Sequence, residues 1–188
     1  MTSDKLVIGL TGMPGAGKSA VVKVAKERDY KIVVMGDVVR EEVEKRRMKP
    51  TPKDVGKMML ELRRMEGEAV IARRCIPKIE KVMEQKVLID GVRSLSEVEE
   101  FKKHFLRFSL IAVHASSGTR FERLYRRKRS DDPKNWRIFH ERDVRELRVG
   151  LGSAIAMAEY ILVNEGRLEA VKAKIREVLR RVEERWMK

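Results

Sequence analysis

Along the chain, short apolar runs alternate with longer stretches in which apolar residues recur every three or four positions among charges. The runs Leu6–Leu10, Lys31–Met35, Lys86–Ile89, Phe108–His114 and Tyr160–Val163 read as buried strands. Helical periodicity marks Ala20–Lys26, Asp37–Arg47, Lys53–Met65, Glu68–Val82, Ser96–His104, Thr119–Lys128, Trp136–Leu147 and Arg167–Trp186. Strands that alternate with helices predict an α/β fold around a parallel sheet. No strand pattern occurs between Gly36 and Gln85, where Pro50 and Pro52 separate one helix from the next. The predicted organisation is one domain over residues 1–188. Its core covers 1–36, 86–116 and 149–188, with a helical insertion at 37–85 and an arginine-bearing segment at 117–148.

The first strand runs into Gly12-Met13-Pro14-Gly15-Ala16-Gly17-Lys18-Ser19, a complete G-x-x-x-x-G-K-[ST] pattern followed by a helix. Glycines let the backbone curl and turn its N–H groups inward, and the helix start adds a positive dipole end. This context predicts a nucleoside triphosphate site built from Gly12, Gly15, Ala16, Gly17, Lys18, Ser19 and Ala20. Lys18 reaches the β- and γ-phosphates there, and the Ser19 hydroxyl holds Mg²⁺. ATP and Mg²⁺ are the expected cofactors.

Other residues acquire meaning beside that loop. Asp90 ends the third strand, where an acid serves Mg²⁺ or its water shell; capping the turn at Gly91 is the competing role. Asp37 follows the second strand as either a helix cap or an acceptor-site residue, and Arg40 lies one turn further on. Arg93 follows Asp90. Arg40 and Arg93 beside a phosphate loop suit a second anionic ligand, with solvated surface arginines as the alternative. Arginines at 120, 123, 126, 127, 129, 137, 142 and 145 flank the turn Ser130–Asn135. From these, Arg129 and Arg137 are singled out as residues that close over the triphosphate.

Composition narrows the classes. No apolar run approaches the ~20 residues of a membrane span, and no leader pattern is visible, so a cytoplasmic location is expected. A single cysteine, Cys75, excludes an internal disulfide, and three unclustered histidines argue against zinc. The net charge is +14, from 43 basic against 29 acidic residues. It fits a polyanion pocket and leaves a nucleic-acid partner open, although no basic tail or aromatic reading surface accompanies it. One glutamine and two asparagines among abundant Lys, Glu and Arg match a heat-adapted protein.

The segment Thr11–Ser19 resembles the loop of adenylate kinases and related small-molecule kinases. Gly36-Asp37-Val38-Val39-Arg40 is similar to their Gly-Asp-x-x-Arg, whose arginine binds the acceptor phosphate. Asp90-Gly91-Val92-Arg93 resembles their Asp-Gly-Phe-Pro-Arg with one residue fewer, and Arg129-Ser130-Asp131-Asp132 their Arg-x-Asp-Asp. Ala158–Asn164 looks more like dephospho-coenzyme A kinases. The whole resembles an archaeal, adenylate-kinase-related set of phosphate-loop proteins. That resemblance implies a five-stranded parallel sheet of order 2-3-1-4-5, an acceptor lobe at 37–85 and a lid at 117–148. It also implies phosphoryl transfer from Mg·ATP to a small phosphorylated acceptor, a nucleotide. Two alternatives stand beside it. One is a kinase of a hydroxyl acceptor, with Asp37 as base. The other is an ATP-driven switch or nucleic-acid-associated ATPase without a small acceptor.

Overall fold

A computed structural model describes residues 3–129 and 132–187. Its strands are β1 (Ser3–Thr11), β2 (Lys31–Val34), β3 (Lys86–Asp90), β4 (Phe105–His114) and β5 (Tyr160–Val163), all parallel, in the order β2-β3-β1-β4-β5. The helices among the described residues are α1 (Lys18–Lys26), α2 (Met35–Lys45), α3 (Pro52–Glu66), α4 (Val70–Lys81), α5 (Leu95–His104), α6 (Ser117–Arg127), α7 (Trp136–Arg148), α8 (Leu151–Ala156) and α9 (Leu168–Trp186).

Central strand β1 shows how the sheet divides the core. Leu6, Ile8 and Leu10 face one side and Val7 the other, as the two-residue period of a strand requires. The first side packs on α1 and α9 through Val21, Val24, Ile175 and Leu179. The second packs on α2–α5 through Val39, Leu62, Ile79 and Phe101. Burial of both faces explains why these strands read as continuous apolar runs.

Several boundaries differ from the sequence reading, each for a local reason. Met35 begins α2 rather than ending β2. Strand β1 starts at Ser3 and β4 at Phe105, because Ser3 pairs with Phe105 beyond a register shift that ends at Leu6. Helices α5 and α6 start slightly early, where the Ser94 and Ser116 hydroxyls accept from the Glu97 and Thr119 N–H groups. Helix α8, only six residues long, was not foreseen. Ser130 and Asp131, which open the predicted turn at Ser130–Asn135, lie outside the described residues.

Candidate active site

The glycine loop crosses from β1 to α1 at the carboxyl edge of the sheet. Gly12 (φ 144°) and Gly17 (φ 99°) could not carry a side chain: a Cβ would strike the Val113 carbonyl oxygen at one and the Asn164 amide at the other. The Ala16 and Ala20 N–H groups donate to Met13 and Gly17 carbonyls (3.1 and 3.0 Å). No described residue accepts from the N–H of Gly15 or Gly17, and α1 has no side-chain cap. This is an open cradle of donors at a helix N-terminus, the chemistry an oligophosphate needs. Three side chains brace it from outside. Arg120 donates to the Pro14 carbonyl (3.2 Å), and Arg123 and Asn164 converge on the Ala16 carbonyl (3.4 and 2.8 Å).

Lys18 folds back to donate to the Gly12 carbonyl (2.6 Å). Burial of the ammonium pushes its pKa down to about 8, against a pull upward from Asp90. Asp90 sits opposite, at the end of β3, where Gly91 and Val92 N–H both bond the Leu10 carbonyl (3.1 Å) and tie β3 to β1. Burial raises the Asp90 pKa above the usual carboxylate value, opposed by Lys18 and Arg93. Its Oδ1 is buried with no hydrogen-bond partner among the described residues. An orphaned carboxylate oxygen beside a phosphate cradle fits a hydrated Mg²⁺, and Ser19, exposed at the start of α1, offers the matching hydroxyl.

A small recess lined by Gly12, Lys18, Gly91, Arg93 and Glu146 joins the loop to a cavity of about 720 Å³. Residues of α2, α3 and α7, together with Arg129, contribute to the walls of that cavity. Its lining holds eight basic side chains (Arg40, Lys53, Lys57, Arg63, Arg93, Arg129, Arg142 and Arg145) and only two acidic ones, Glu97 and Glu146. Some are already paired. Arg63 meets Glu97 at 2.5 Å in full burial, and Arg93 Nη1 donates to both Glu146 oxygens at 3.1 and 2.8 Å.

The sequence-predicted residues therefore divide. Arg40, Arg93 and Arg129 line the cavity. Asp37 does not; it is half-exposed and holds Arg40 in an ion pair. Arg137 stands away from the site, 88% exposed and paired with Glu141 at 3.1 Å. The arginines that α7 presents to the cavity are Arg142 and Arg145. Glu146 was missed altogether, as was the anchoring of α7 through Asp143, which takes two bonds from buried Arg120 (2.8 and 2.6 Å). Phe139, Asp143 and Glu146 lie four and three residues apart on the buried face of α7. That helical spacing was the available signal, but two of the three are acids.

The chain matches a family model described as an AAA domain over residues 11–139. A UPF0200 protein of Methanocaldococcus jannaschii is 46% identical over 179 residues, covering 94% of this chain and 90% of the relative. Another from Hyperthermus butylicus is 44% identical over 180 residues, covering 96% of each. The chain belongs to the UPF0200 family. These UPF0200 relatives are archaeal and thermophilic, in keeping with the amide-poor composition. In fold the UPF0200 chain is similar to a shikimate kinase from Bacteroides thetaiotaomicron (TM-score 0.60, 18% identity, 93% of this chain and 98% of that one). It is also similar to a gluconokinase from Sinorhizobium meliloti (TM-score 0.59, 15% identity, 98% and 97%). Likeness at these identities is one of fold: a five-stranded parallel sheet with helices on both faces. The finer similarity to adenylate kinases rests on the motifs alone. Among the described residues no helix is long and apolar enough to cross a membrane.

Proposed function

We propose that this protein transfers the γ-phosphoryl group of Mg·ATP to a small phosphorylated acceptor, a nucleotide, bound in the 720 Å³ cavity. The observation that carries this reading is the cavity's lining of eight cations against two carboxylates, joined to the phosphate loop through a shared recess. A solvated surface would scatter such charges; here they converge on a volume within the range of small-ligand sites.

Each residue has a task in this reading. The loop N–H groups and the start of α1 orient the triphosphate, and Lys18 offsets charge on its transferring end. Ser19 and Asp90 would hold Mg²⁺, which would supply positive charge against the triphosphate. Arg40 anchors the acceptor. The inserted helices (37–85) act as the acceptor lobe and 117–148 as the lid, whose Arg129, Arg142 and Arg145 exclude water. Phosphorus NMR of Mg·ATP incubated with a panel of phosphorylated nucleotides and metabolites is expected to show ADP and a new phosphoryl product with at least one of them. ADP release that needs RNA and no small acceptor would favour the ATPase reading instead.

A further inference from the structure

Glu146 occupies an unusual place for a carboxylate. It is buried (7% exposed) and lines both the recess beside Lys18 and the large cavity, the one acid among the described residues to do so. It lies at the junction that a phosphoryl group must cross on its way from the loop to the acceptor. Its partner Arg93 is the cavity arginine that also lines the recess. An acceptor whose phosphate was the attacking group would use that arginine. Its Nη1 is already engaged by both oxygens of Glu146, and a phosphate that displaced Glu146 would leave a buried carboxylate unpaired beside an incoming dianion. The cavity cations without a carboxylate partner among the described residues are Lys53, Lys57, Arg129 and Arg145, and none of them lines the recess.

We infer that the acceptor presents an uncharged hydroxyl to the phosphate loop, that its phosphate is held away from the loop by those four cations, and that Glu146 accepts the hydroxyl proton. This rests on the cavity holding a phosphorylated acceptor beside ATP. In the step, the acceptor oxygen bonds to the γ-phosphorus as its O–H bond breaks and the proton passes to a Glu146 oxygen. The bond from the γ-phosphorus to the bridging oxygen breaks, and its electron pair leaves with ADP. Arg93 fixes the carboxylate in position. Asp37, tied to Arg40 outside the cavity lining, is not placed for the task.

Two measurements on the full chain test this. In the first, the loop is filled with Mg²⁺ and the non-hydrolysable imido analogue of ATP, and inorganic phosphate is titrated by calorimetry. Lys53→Gln/Lys57→Gln is expected to weaken phosphate binding at least tenfold, while Arg93→Gln/Glu146→Gln changes it less than threefold. The reverse order, or no saturable phosphate binding in the wild type, overturns the inference. In the second, water stands in for the acceptor and Mg·ATP hydrolysis is followed. Glu146→Gln is expected to lower kcat by roughly 10²–10³-fold at unchanged KM for ATP. Glu146→Asp, which keeps the carboxylate, should retain more activity. Equal kcat in wild type and Glu146→Gln overturns the role of base, and so does Glu146→Asp falling as low as Glu146→Gln. Failure of the wild type to bind the ATP analogue at all would have a different signature: it defeats the ATP reading itself, and this inference with it.

Discussion

Replacing Lys18 with methionine is expected to stabilise the protein while disabling it. The Lys18 ammonium is buried against the loop, and its pKa falls from 10.5 to about 8. Below pH 8 the folded protein therefore holds a proton at a cost that the unfolded chain does not bear. The shift corresponds to roughly 3 kcal/mol of stability withheld at pH 7. Methionine has similar length and no charge to desolvate. Against that gain, the Gly12 carbonyl loses its 2.6 Å donor, a loss of about 1 kcal/mol. The net gain of about 2 kcal/mol should raise the melting temperature by about 4–8 °C at this chain length. The pH dependence has a definite sign. Between pH 8 and 10.5 the unfolded wild type binds more protons than the folded form, so wild-type stability rises there relative to Lys18→Met and the gap closes. Thermal and denaturant unfolding of both proteins from pH 7 to 10.5, with ATP titrated alongside, make the assay. A Lys18→Met protein no more stable than wild type at pH 7, or a gap that stays constant to pH 10.5, would refute the argument. ATP affinity should fall sharply in the variant.

Arg120→Ala leaves Asp143 buried without its two charge-assisted bonds and should cost about 3–5 kcal/mol in denaturant unfolding. Arg142→Ala should lower phosphoryl-transfer turnover at least tenfold, whereas Arg137→Ala, at a solvated pair, should leave it within twofold. The Cys75 thiol, whose pKa burial pushes up to about 12, should react with a thiol reagent at neutral pH only as fast as the protein unfolds. Asp90→Asn should raise the Mg²⁺ concentration needed for half-maximal ATP turnover while leaving the melting temperature unchanged or higher, because it replaces a buried charge.

The loop and the sheet were legible because local rules and the global fold agree there. Short β-branched runs such as Val87-Leu88-Ile89, bounded by charges and a glycine, suit buried strands, and a phosphate loop needs its glycines at fixed places. Helix α7 was legible as a helix but not as a wall of the site. Its buried face consists of Phe139, Asp143 and Glu146, so hydrophobic periodicity points to Phe139 alone. Both acids are buried only because Arg120 and Arg93, from distant parts of the chain, meet them. No spacing rule reports such a pairing. The choice of Arg137 failed for the same reason: among many arginines on two helices, only the packed orientation of α7 separates Arg142 from Arg137. The β4 start was hidden by Leu106 and Arg107, an exposed and a half-exposed residue at the strand's entry.

The order of strands in the sheet also bears on how the protein is made. Strand β1 is synthesised before the partners on either side of it, β3 and β4, so Leu6 must wait for Lys86 and Arg107. At bacterial-to-eukaryotic elongation rates that wait is about 5–20 s. For that interval Leu6, Val7 and Ile8 are a nascent, unpaired apolar segment, and the glycine loop behind them has no Val113 or Asn164 to fold against. The cradle is completed only when Asn164, just past β5 and 148 residues beyond Ala16, reaches the Ala16 carbonyl. Pairing of the central strand, and not its synthesis, therefore sets when the loop can take its folded shape.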